Sequence, residues 1–166
     1  MAKPTTNATP ICLGLSSLLL IGIIIGLVKQ SPLATIICLL PTVIYEVYRT
    51  EGESTKAASW GLLAVIVLEI IAVIFKINLD LAGFLGTSGH YIGGYYLPLG
   101  DIQLIFPGLM AILAVILFTR TNGYYTRWLA ILIFIGALAT VYTLDPVIFQ
   151  QFLKLGINEG LNRLNF

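Results

Sequence analysis

Long apolar stretches separated by short polar links dominate this chain of 166 residues. About 20 consecutive apolar residues are enough for a helix to cross a membrane. Five stretches approach that length, at residues 11–28, 33–48, 57–75, 102–119 and 128–144. The pattern predicts an all-α integral membrane protein, with one helical domain over residues 1–166 that forms a bundle of about five transmembrane helices.

The second stretch, residues 33–48, is the least regular of the five. It contains Pro41, and its purely apolar part ends before Glu46. Proline removes a backbone donor and favours a kink or an end in a helix. The stretch is therefore either a full span or a re-entrant segment, which would leave four crossings. Before it, Ser31 and Pro32 are typical of a helix cap and a first helical residue, which predicts a tight helical hairpin.

The connector over residues 76–101 is long and contains six glycines, at positions 83, 86, 89, 93, 94 and 100. Loops of this length are usually functional or disordered. Aromatic side chains favour a membrane interface or a partner surface, so we predict that the loop docks a partner. The predicted docking residues are Phe84, Tyr91, Tyr95 and Tyr96. His90, the single histidine, either makes local hydrogen bonds or serves as an axial ligand of a haem or pigment.

After the fifth stretch, Asp145 and Pro146 are typical of a cap and a first helical residue. Apolar residues then recur near helical spacing, while Lys154, Glu159 and Arg163 mark a polar side. This predicts an amphipathic helix over about residues 146–164. The helix either lies along the membrane interface or packs on the protein's own loops or on a neighbour.

Glu69 is the one acid deep inside an apolar stretch, since residues 64–75 read AVIVLEIIAVIF. An ionisable group at this depth costs a few kcal/mol unless it is protonated or partnered. Its helical face also carries Gly61, Val65 and Ala72, whereas bulkier residues occupy the other face. Small residues mark close helix contacts in membranes, so Glu69 should face protein and not lipid.

Depth in the membrane suggests which residues Glu69 contacts. Thr35 and Thr140 lie at a similar depth, as does the GxxxG motif of Gly22 and Gly26, which can dock against the small-residue face. In one interpretation Glu69 is a hydrogen-bonded acid that fixes helix packing or docks a partner subunit. In the other it relays protons or binds a cation. Because Glu46 is expected near a helix end, no second acid completes a relay.

Composition supports the membrane interpretation and excludes several classes of protein. Hydrophobic residues make up 58% of the chain and charged residues 10%, against roughly 45–50% and about 25% in soluble domains. The net charge of +1, without a basic run, excludes nucleic-acid binding. The two cysteines lie in apolar stretches without a zinc-site spacing. The sequence has no paired acids and no nucleophile motif, so it gives no reason to predict an enzyme.

Sparse charge, tyrosine-rich loops and short helical hairpins resemble the small accessory membrane proteins of cyanobacterial thylakoid complexes. That resemblance implies chlorophyll or quinone contacts, beside the lipid that the composition itself implies. We expect a small accessory or assembly subunit that contacts other membrane subunits and the bilayer, in a thylakoid or bacterial inner membrane. The alternative is a small oligomeric transporter or channel that uses Glu69. Five of the nine basic residues fall on the N-terminal side, which favours a cytoplasmic N-terminus.

Overall fold

The computed structural model describes residues 7–76, 90–92, 95–97, 102–150 and 154 of the chain. In this part of the chain it has five long helices and a short strand pair. The helices are α1 Ala8–Lys29, α2 Pro32–Arg49, α3 Glu53–Ile74, α4 Ile102–Arg120 and α5 Tyr124–Leu144. The antiparallel strands are β1 His90–Ile92 and β2 Tyr95–Leu97. Each predicted apolar stretch therefore lies on a helix, and the hairpin is an addition that the prediction lacked.

Four helices in the described part are long and apolar enough to cross a membrane, and they indicate a membrane protein. They are Ala8–Lys29, Pro32–Arg49, Thr55–Ile74 and Tyr124–Leu144. The described apolar part of α4, Leu104–Arg120, is shorter. The count is thus slightly below the five predicted, and the shortfall lies in α4. The stretch at 33–48 is one continuous helix that accommodates Pro41.

A two-residue link joins α1 to α2 and makes them neighbours. Gln30 ends α1 in the left-handed conformation, with φ at 48°, and the Ser31 N–H donates to the Gly26 carbonyl at 3.0 Å. Pro32 occupies the first turn of α2, as predicted. The Ser31 hydroxyl makes no cap hydrogen bond, so that part of the prediction is wrong. The extended backbone and the proline start the helix without it.

Consecutive helices run antiparallel, so α1, α3 and α5 begin at the same end of the bundle, where α2 and α4 end. We call this end the N-side and the opposite end the far side. Aromatic residues at the helix ends of the N-side are Tyr45, Tyr48, Trp60, Tyr124, Tyr125 and Trp128. Tyrosine and tryptophan are enriched where a membrane meets water. The N-side therefore has the composition of a membrane boundary.

The core of the bundle lies between α2 and α5. Helix α2 contacts α1, α3 and α5, and α5 contacts α1, α2 and α4, so these two helices are central. Large apolar side chains with at most 1% exposure fill the interior: Leu19, Ile36, Leu39, Leu62, Ile66, Met110, Leu117 and Ile133. Close packing of this kind holds helices together in lipid, where the hydrophobic effect between helices is absent.

The chain after α5 folds back onto the bundle. Residues 146–150 are helical, and Asp145 Oδ1 accepts the backbone N–H groups of Val147 at 2.8 Å and Ile148 at 3.1 Å, which confirms the predicted cap. Ile148 is buried, and the Phe149 ring meets Tyr142 edge-on at 5.3 Å between centroids. This start of the segment packs on the protein itself. Residues 151–153 and 155–164 of the predicted amphipathic helix lie outside the described part.

Candidate functional site

Glu69 lies on α3 and is completely buried, with 0% of its surface exposed. Val65 and Ala72 on the same face are buried too, whereas Val67 and Ile74 on the other face are exposed. The small-residue face therefore points into the bundle. A partner subunit cannot touch a carboxyl at this depth, so the structure favours a role of Glu69 inside the bundle over direct docking.

The carboxyl of Glu69 has no hydrogen-bond partner among the described residues, at either oxygen. The two threonines expected to serve it are buried but bond elsewhere. The Thr35 hydroxyl donates to the Gly22 carbonyl at 3.4 Å, and the Thr140 hydroxyl donates to the Gly136 carbonyl at 2.9 Å. A threonine in a helix can bond the carbonyl four residues earlier, and Thr140 does so. In this structure Glu69 therefore hydrogen-bonds neither of the two candidate threonines.

Gly22 and Gly26 bring α1 against α2, not against the face of α3 that carries Glu69. A methyl group on Gly22 would overlap the Cys38 side chain, and one on Gly26 would overlap the Thr35 hydroxyl. Both neighbours lie on α2. The GxxxG motif thus acts as a close helix contact, as such motifs do. Its predicted docking face was wrong because the two-residue link already places α2 beside it.

A second buried acid, Glu46, lies near the end of α2, a position from which the sequence predicts no role in a relay. The structure leaves it 0% exposed. Its Oε1 lies 2.9 Å from the Thr50 hydroxyl, which donates to it, and Ser59 Oγ of α3 donates to Thr50 Oγ1 at 3.0 Å. The chain reverses just after α2, so the next helix returns over Glu46 and buries it.

Arg49 continues this polar region toward α5 and α1. Its guanidinium carbon lies 5.0 Å from the centre of the Tyr125 ring, within cation–π range. The Tyr125 hydroxyl and the Thr9 hydroxyl of α1 are 2.8 Å apart. Arg49 lies close enough to Glu46 for their charges to interact. Four helices therefore meet in one polar region on the N-side.

A pattern in the sequence could have revealed this region. Thr42, Glu46 and Arg49 follow one another at spacings of four and three, which places them on one face of a helix. They interrupt an otherwise apolar stretch with two opposite charges, and charges within spans usually face the protein interior. The distance of Glu46 from the end of its helix does not by itself tell whether its side chain is buried.

The proposed docking residues of the third loop lie only partly within the described part of the chain. Phe84 lies outside it. The backbones of His90, Tyr91, Tyr95 and Tyr96 form the hairpin, in which Tyr91 pairs with Tyr96 and His90 with Leu97. The sequence signal for this hairpin was a Gly-Gly pair between β-prone residues. Partner docking and cofactor ligation by these residues stay predictions.

Among the described residues, no group of three or more His, Cys, Asp or Glu side chains is placed to hold a metal ion. Cys12 and Cys38 are free thiols. Comparisons of the chain with protein-family models, with curated proteins and with solved structures find no match.

Proposed function

We propose that the chain is a small accessory or assembly subunit of a larger membrane complex. The filled interior carries this proposal, because Leu39, Ile66 and Ile133 come from three different helices and are each 0% exposed. Transport sites near the middle of a membrane are typically built from broken helices and polar groups. A bundle whose helices are packed mainly by apolar side chains instead offers its outer surface and its connectors to partners.

The hairpin between α3 and α4 is the first connector to test. Residues 90–97 are exchanged for a Gly-Ser sequence of equal length in the tagged full-length protein, and the matched control exchanges residues 121–123. Both variants are purified in mild detergent, and their partners are identified and quantified. We expect the first exchange to release stoichiometric partners and the control to keep them. Unchanged partners after both exchanges would contradict docking by the hairpin.

The resemblance to small thylakoid proteins makes a photosynthetic or respiratory complex the first place to look for these partners. The positive charge on the N-side supports a cytoplasmic N-terminus. Reporter fusions at residues 53 and 166 should then report opposite sides if α4 crosses with the four longer helices. Reporters on the same side would remove one crossing, and α4 would be the first candidate.

One observation favours a second function, a small oligomeric transporter or channel that uses Glu69. Both carboxyl oxygens of Glu69 are buried and lack a hydrogen-bond partner within the described residues. An acid in this state is able to accept a proton or a cation as its partner. Exchange of Glu69 for Gln separates the two functions, because glutamine keeps the shape but carries no exchangeable acid proton.

A further inference from the structure

Three polar atoms on one face of α2 are buried and have no hydrogen-bond partner among the described residues: Thr42 Oγ1, Glu46 Oε2 and Arg49 Nε. Thr42 and Glu46 are both 0% exposed. Since Glu46 Oε2 and Arg49 Nε each lack a partner, these two atoms do not bond to each other. Buried polar atoms in folded proteins are almost always paired, either with protein or with ordered water.

The chemistry of the three atoms defines what they would bind. Arg49 Nε only donates, a carboxylate oxygen only accepts, and the Thr42 hydroxyl does both. Whatever binds these atoms must therefore be able both to donate and to accept hydrogen bonds. The opposite charges of Glu46 and Arg49 offset each other, which disfavours an ion of either sign. Water meets these conditions, because a buried water needs about two to four polar partners.

A route to solvent lies beside the site. Thr50 hydrogen-bonds Glu46 Oε1 and also lines a surface cavity of about 600 Å³ on the N-side, together with Gly52, Lys56 and Trp60. The Thr50 side chain itself is 4% exposed. Thr50 therefore lies at the cavity wall and hydrogen-bonds Glu46 as well.

We propose that Thr42, Glu46 and Arg49 form a water-binding site inside the bundle, and that its water exchanges with the N-side past Thr50. The site is distinct from Glu69, which lies toward the far side. It gives the end of α2 a hydrated polar centre that joins α1, α2, α3 and α5.

Water contact is measured by solid-state NMR of the full-length protein in lipid bilayers, as the rate of magnetisation transfer from water to assigned side chains. Thr140 is the matched control, because it is also 0% exposed and its hydroxyl is paired with Gly136. We expect the Thr42 and Glu46 signals to build up several-fold faster than that of Thr140. Equal and slow build-up for Thr42, Glu46 and Thr140 would overturn the proposal.

A double variant, Glu46→Met with Arg49→Met, identifies the groups that hold the water. Both replacements are unbranched and apolar, so they keep much of the volume and remove the polar partners. Transfer to Thr42 should fall to the rate of Thr140. If Thr42 stays fast in a folded double variant, the water does not depend on the charged pair and the site as assigned is wrong. If the double variant does not fold, the comparison within the wild-type protein decides alone.

Discussion

Glu46 and Glu69 are both fully buried, but of the two only Glu46 has a side-chain hydrogen bond among the described residues. Glu46 receives the Thr50 hydroxyl and lies near Arg49, whereas neither carboxyl oxygen of Glu69 has a hydrogen-bond partner in the described part of the chain. The position of each acid explains the difference. Glu46 precedes a chain reversal, where the connector and the next helix supply hydroxyl groups. Glu69 lies inside an apolar stretch, where neighbouring backbone groups are already used by their own helices.

The comparison shows that a buried acid can either raise or lower the free energy of unfolding. A buried polar group with partners supports the fold, while a buried group without them costs free energy. Glu46 should therefore behave as part of the structure. Glu69 should instead lower the stability of the fold, since neither of its carboxyl oxygens has a partner among the described residues.

The largest expected effect is a loss in the free energy of unfolding when Glu46 is replaced. Exchange of Glu46 for Leu leaves Thr50 without its side-chain acceptor and places an apolar side chain beside the half-buried Arg49. A hydrogen bond to a charged group contributes about 1.5–3 kcal/mol. We expect the free energy of unfolding, measured by SDS titration in mixed micelles, to fall by this amount.

The control for this change is Glu46→Gln, which keeps an acceptor for the Thr50 hydroxyl and should cost clearly less than the Leu variant. Equal stability of the wild-type and Leu proteins would show that the polar region on the N-side contributes nothing to folding.

The next effect concerns Thr35, whose hydroxyl donates to the Gly22 carbonyl of α1. Exchange of Gly26 for Ala places a methyl group where the Thr35 hydroxyl lies, so α1 and α2 must separate. Overpacking of this kind costs about 1–3 kcal/mol. Gly14→Ala is the matched control on the same helix, because nothing lies within 4 Å of a methyl group there. The same unfolding assay should show a loss for the first variant only, and equal losses would argue against the close contact.

At Glu69 an apolar replacement should raise the free energy of unfolding, whereas at Glu46 it should lower it. Exchange of Glu69 for Leu removes a buried polar group without a partner, so we expect a gain of about 1 kcal/mol in the free energy of unfolding. A loss of similar size would instead show that Glu69 has a partner in the membrane, as the sequence had suggested.

The Glu69→Gln variant tests the function of Glu69 and not its contribution to stability. In an accessory subunit the Gln variant should assemble with its partners as the wild type does. Normal assembly with loss of proton or cation flux in proteoliposomes would instead establish the transporter alternative.

Much of this architecture follows from the sequence, since apolar length and period place the five helices and the small-residue face turns Glu69 inward. The partners of the polar groups do not follow. Thr35 and Thr140 lie at a depth similar to that of Glu69, but depth does not tell which helix a hydroxyl faces or whether it bonds its own backbone. Glu46 was missed for a related reason. Its burial depends on how α3 returns after the turn, which is a tertiary contact and not a property of the stretch 33–48.

The smallest expected effect tests the comparison most directly, because it measures coupling between two named side chains. A double-mutant cycle pairs Glu46→Leu with Thr50→Val, and a second cycle pairs Glu69→Leu with Thr140→Val, so that each single change removes the hydrogen-bonding group. Hydrogen bonds within membrane proteins average about 0.6 kcal/mol in such cycles. The first cycle should give a coupling energy of that size, because the Thr50 hydroxyl and Glu46 Oε1 are 2.9 Å apart. The second should give about zero, since Thr140 bonds Gly136 and side chains without a shared contact are additive. Coupling between Glu69 and Thr140 as large as that between Glu46 and Thr50 would mean that both acids are partnered, and the distinction between the two ends of the bundle would be lost.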